Sequence, residues 1–201
     1  MVNVVTTRKG AVVQEPSIIT MLFNRPLAAW LWLPIRVWLG WQWLKAGWEK
    51  VINPAWLQTG VPLKGYLMGA ANAVSASGKP VIHYAWYADF LKLLVSSGSY
   101  VWMAKLVSVG ETLVGVALIL GMFTGFAAFF GGFMNFNYLM AGTVSVNPMF
   151  LILAVSLLLA WKVSGYIGLD YFLVPHVGAL WSDRLATKTV PGGIPRGAQA
   201  R

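Results

Sequence analysis

The chain contains no cysteine. That excludes disulfides, thiolate metal sites, thiol nucleophiles, iron–sulfur clusters and thioether-linked haem. Charge is scarce as well. Only 10% of the 201 residues are charged, against roughly 25% in an ordinary soluble domain. Six residues are acidic, too few and too scattered for a carboxylate metal cage. The only histidines, His83 and His176, fall on opposite sides of the apolar blocks described below and cannot jointly hold a haem or a metal ion. The sequence has no Gly-rich phosphate loop and no credible Ser–His–Asp pattern. No metal and no covalently attached cofactor is therefore expected.

What is present is apolar. Hydrophobic residues make up 58% of the chain, and 11 of the 201 residues are Trp. The formal charge of +9 is not gathered into a dense basic run, so nucleic acid is not an expected partner. The basic residues mostly flank apolar blocks, as membrane topology requires. A membrane helix needs about 20 mostly apolar residues, and four blocks qualify, near 27–47, 101–121, 123–143 and 148–168. The expected fold class is all-α: a polytopic membrane protein, built as a four-transmembrane-helix bundle with an amphipathic extramembrane loop. Residues 1–26 would form an N-terminal cytoplasmic or interfacial segment, 27–175 the membrane domain and 176–201 a C-terminal tail. Residues 1–26 lack the apolar run of a secretory signal, so the first span would act as an uncleaved anchor.

Residues 50–99 form the one long connection. Asn53-Pro54 and Val61-Pro62 read as helix breaks, and Ala76-Ser77-Gly78-Lys79-Pro80 as a loop. After Pro80, the apolar Val81, Ile82, Trp86, Phe90, Leu91 and Leu94 alternate with His83, Asp89 and Lys92 at amphipathic spacing, which suggests a short interfacial helix. Asn147-Pro148 marks the start of the fourth span. Lys and Arg counts set the orientation. Eight basic residues lie on the side of the termini and four in the loop 50–99, so both termini are expected in the cytoplasm of an inner membrane and the loop outside.

Charges inside the spans are the informative residues, because each costs about 2.5–3.5 kcal/mol at mid-bilayer. Arg36 and Glu111 sit near the centres of the first two blocks, and an Arg36–Glu111 ion pair is the geometric expectation. At about 100° per residue, Arg36, Gly40, Trp43 and Gly47 share one face. Ala104, Ser108, Glu111 and Gly115 share another, and Ala128, Gly132, Asn135, Tyr138 and Gly142 a third. An interior network of Arg36, Glu111, Asn135 and Tyr138 follows. It either fixes helix register or holds a quinone head group and moves protons. Trp38, Trp41 and Trp43 are either packing residues or a stacking wall for a quinone ring. Gln42, Lys45 and Glu49 lie opposite Arg36, and with Trp86 and Lys105 they are candidates for partner docking. Lys45 and Glu49, four apart, are also spaced to pair with each other.

These residues carry a resemblance. Arg36, Gly40, Ala46-Gly47 and Lys50 are followed by Asn53-Pro54-Ala55-Trp56-Leu57. Then come Val109-Gly110-Glu111-Thr112-Leu113-Val114-Gly115, Asn147-Pro148 and Gly165-Tyr166-Ile167-Gly168-Leu169-Asp170. In this order they resemble the DoxX/DoxD-like family of small four-helix membrane proteins. The resemblance implies a DoxX-like domain over 27–175, and a membrane subunit of a quinone-linked redox complex, respiratory or photosynthetic. It would be structural or quinone-proximal, with other membrane redox subunits as partners and no redox centre of its own. The alternatives are a thiosulfate:quinone oxidoreductase membrane module, or a small-solute carrier or channel.

Overall fold

The computed structural model describes residues 4–6, 12–14 and 16–173. His176 and the tail beyond it lie outside the described residues. Two short strands, β1 (Val4–Thr6) and β2 (Val12–Gln14), pair antiparallel at the start. Everything else that is regular is helical: α1 (Ser17–Asn24), α2 (Ala29–Val51), α3 (Val61–Asn72), α4 (Ala85–Ser96), α5 (Tyr100–Leu120), α6 (Thr124–Met140), α7 (Asn147–Leu159) and α8 (Trp161–Ser164).

The four-span expectation is met only in part. Among the described residues, α5 is the single helix both long and apolar enough to cross a membrane. Helices α1 and α2 qualify together, but across a 66° bend. The third and fourth blocks fold as shorter helices than their apolar length suggested, 17 residues in α6 and 13 in α7. A second difference lies in the long connection. Val61-Pro62 does not break a helix but opens α3, because proline is tolerated in the first turn, where its missing N–H has no partner to lose. The amphipathic stretch after Pro80 does fold as a helix, α4.

Two cores result. The first joins α2, α5, α6, α7 and α8 through Trp32, Leu39, Trp43, Val114, Leu118, Ala128 and Leu157. The second joins α3 and α4 to the start of α5 and the end of α6 through Leu63, Leu67, Ile82, Tyr87, Leu91, Ala104 and Ala141. Glycine sets the approach of α2 to α5. A Cβ at Gly47 would stand 2.6 Å from Thr112 Oγ1, and one at Gly115 would collide with the Leu44 backbone. These contacts set Gly47 beside Thr112, Leu44 beside Gly115 and Gly40 beside Leu118.

That register overturns the Arg36–Glu111 pair. In an antiparallel pair so aligned, Arg36 falls level with the turn after α5, about a dozen residues or roughly 18 Å along the axis from Glu111. Arg36 instead donates from Nη1 to Ser164 O (3.1 Å) and from Nη2 to Ile167 O (2.9 Å). Asp170 completes this end of the molecule. Its carboxylate accepts the backbone N–H groups of Phe123 (2.6 Å) and Thr124 (2.8 Å), satisfying two free donors at the start of α6. The Asp170 N–H returns a bond to Gly121 O at 2.7 Å. Arg36 and Asp170 are thus a clasp between the segment after α8 and the α5–α6 turn.

Candidate functional site

Each polar helical face read from the sequence is a buried face. Arg36, Gly40, Trp43 and Gly47 are buried on α2, and Ala104, Ser108, Glu111 and Gly115 on α5. Ala128, Gly132 and Asn135 are buried on α6. With Arg36 held at the clasp, the remaining polar groups gather around Glu111.

Glu111 is 1% exposed. Its Oε2 receives Lys50 Nζ at 2.6 Å, and its Oε1 accepts the hydroxyl of Tyr138 at 2.5 Å. Lys50 stands at the end of α2, where it also donates to Ala46 O and lies 5.3 Å from the Trp56 ring centroid. Its side chain keeps 20% exposure, so this ion pair reaches from the interior to the protein surface. Lys50 is the member that sequence reasoning missed as a partner. The span template ended the helix at 47, yet Lys50 follows Gly47 by three positions and so continues the Arg36 face.

A cavity of about 350 Å³ opens beside this triad. Gln42, Trp43 and Lys50 line it from α2, and Glu111 from α5. Asn135 and Tyr138 come from α6, Tyr66 from α3 and Phe150 from α7. The walls are mostly apolar. Asn135 is fully buried, and neither its Nδ2 nor its Oδ1 has a hydrogen-bond partner among the described residues. The Trp43 indole Nε1 is likewise buried and unpartnered. An unmet buried polar group costs about 1–3 kcal/mol, so the Asn135 carboxamide is left short of partners at the cavity wall, while Trp43 Nε1 packs against Gly131, away from the cavity lining.

Helix α3 walls one side of this cavity through Leu63 and Tyr66. Tyr66 bonds Thr143 Oγ1 at 2.8 Å, and Tyr87 donates to Asn137 O at 3.0 Å, so α3 and α4 are latched to the end of α6. Burial pushes both phenols up, Tyr87 to about 12 with a further push from nearby Tyr66, and both stay protonated donors near neutral pH.

The candidate docking residues differ in exposure. Gln42 turns into the cavity, while Lys45, Glu49, Trp86 and Lys105 are exposed. Among the described residues, Lys45 and Glu49 form no ion pair. The mid-span tryptophans also separate. Trp43 lines the cavity, whereas Trp38 and Trp41 face outward.

No curated protein and no solved structure matches the chain. A family model described as the TQO small subunit DoxD does, over residues 31–189, which takes in the α2–α8 bundle, the cavity and the clasp, and the chain is accordingly a member of the DoxD family.

Proposed function

We propose that the chain is the membrane-embedded, quinone-binding subunit of a thiosulfate:quinone oxidoreductase. The Asn135 carboxamide, buried without a partner in an apolar-walled cavity, is the observation that carries this reading. A quinone head group presents two carbonyl oxygens on an apolar ring. Asn135 Nδ2 supplies a donor for such an oxygen, and the cavity volume suits one ring with the start of its tail. Tyr66, Trp56 and Phe150 offer ring-lined walls. The family description favours thiosulfate as the electron source over an unspecified respiratory or photosynthetic donor. Other redox subunits would deliver the electrons, since the chain has no cysteine to carry a sulfur-based centre.

Inverted burial supports membrane embedding. Helix α6 buries Asn135 and Thr124 while exposing Phe126, Phe129, Phe130, Phe133 and Phe136. Water would penalise that arrangement and lipid would not. The four helical segments are α2, α5, α6 and the broken α7–α8. Helix α7 rises roughly 20 Å of the roughly 30 Å hydrocarbon thickness, and α8 extends the segment. Both termini lie in the cytoplasm of the inner membrane, with α3 and α4 on the outer side.

Tryptophan quenching by decylubiquinone tests the site. Asn135→Leu keeps the volume, removes both amide groups, and should weaken binding about tenfold, or about 1.4 kcal/mol. Equal affinity in the two proteins would remove Asn135 from the site. For the orientation, a Cys introduced at exposed Ser77 should react with an impermeant maleimide on intact cells. Labelling only after lysis would invert the topology.

A further inference from the structure

We infer that Lys50, Glu111 and Tyr138 form a proton relay from the outer edge of the protein to the cavity. The inference rests on the quinone reading and adds a second role to the same site. Forming a quinol places two electrons on the ring and makes two new O–H bonds, so two protons must reach a site that is walled mostly by apolar side chains. The electrons come from the thiosulfate-class donor. Asn135 can donate to a carbonyl but has no acidic proton to give up near neutral pH. The titratable side chains lining the cavity are Lys50, Tyr66, Glu111 and Tyr138, from α2, α3, α5 and α6. Three of these four are joined in one chain, Lys50 to Glu111 at 2.6 Å and Glu111 to Tyr138 at 2.5 Å. Tyr66 is outside it, bonded to Thr143.

The steps balance. The Tyr138 hydroxyl turns from Glu111 Oε1 to a quinone oxygen and releases its proton there as the ring accepts electrons. Lys50 passes an ammonium proton to Glu111 Oε2. The protonated carboxyl then turns and returns a proton to the Tyr138 oxygen, restoring the phenol. Lys50 regains its proton from water at its exposed edge. Two passes, with the ring turned over between them so that its second oxygen meets Tyr138, supply both O–H bonds, and the relay ends as it began.

The test uses the intact complex in mild detergent, with thiosulfate as donor and decylubiquinone as acceptor. Binding is followed by tryptophan quenching and turnover by quinol formation. Tyr138→Phe and Glu111→Gln should bind decylubiquinone within about threefold of the unsubstituted complex and turn over about 100-fold more slowly. Glu111→Asp should recover part of the rate. Turnover at the unsubstituted rate in Tyr138→Phe, whose ring still packs against Tyr66, overturns the relay even if Glu111→Gln fails to assemble. Failure of the unsubstituted complex to bind decylubiquinone, or to reduce it with thiosulfate, refutes the function itself and the relay with it.

Discussion

The buried Lys50–Glu111 pair makes a sharp energetic prediction. Glu111 is 1% exposed and the Lys50 side chain 20%, with 2.6 Å between the charged atoms. Breaking a fully buried pair costs about 3–5 kcal/mol, because one charge is left uncompensated. Lys50→Met strands the less exposed partner and is the costlier single change, but the pair is only partly buried, so the loss should sit at the lower end, about 3 kcal/mol. Glu111→Gln strands only the ammonium that can reach water, and its carboxamide still accepts from Tyr138. About 2 kcal/mol is expected there. The double variant buries no lone charge. It should lose about 3 kcal/mol rather than about 5, a coupling of about 2 kcal/mol. Unfolding in mixed micelles, titrated with a denaturing detergent, measures all four proteins. The matching cycle of Arg36→Leu with Glu111→Gln should be additive within about 0.5 kcal/mol, since the two sites are far apart and share no partner. Additive losses at Lys50 and Glu111, or the larger coupling at Arg36, would refute the register of α2 on α5.

Two further outcomes are expected. Asp170→Ala removes the charged acceptor from the Phe123 and Thr124 N–H groups, and the strain released at Phe123, held left-handed at φ 48°, offsets only part of that, so about 3 kcal/mol should be lost. That corresponds to a fall in Tm of roughly 6–12 °C, and an unchanged Tm would show that the clasp is dispensable. Tyr87 binds its proton more tightly when folded, so its contribution is complete below pH 10 and is lost as pH rises to about 12. Tyr87→Phe should flatten the stability profile over that window, and an unaltered slope there would disprove the burial argument.

Local pattern determined the helices and the faces they bury. Small and polar residues at helical spacing, such as Ala104, Ser108, Glu111 and Gly115, declared the inside of α5 without any tertiary information. Proline needed its context. Val61-Pro62 is the same signal as Asn147-Pro148, and both open helices, yet only the second was legible because a long apolar run follows it.

What periodicity cannot supply is the axial register between helices, since a face stays the same when one helix slides along another. The register of α2 on α5 comes from backbone contact at Gly47 and Gly115, which no local pattern encodes. That one quantity decided that Arg36 meets Ser164 and Ile167, that Glu111 meets Lys50, and that the pairing charge lies at the end of α2 rather than its middle. Asp170 was visible only as a residue of a motif. Its task became clear once the segment after α8 folded back on the Gly121 turn, because its hydrogen-bond partners lie 46 and 47 residues away. The sequence by itself determined which side chains are too polar to face lipid. The tertiary structure decided which of them satisfy one another, and left Asn135 unsatisfied beside the cavity.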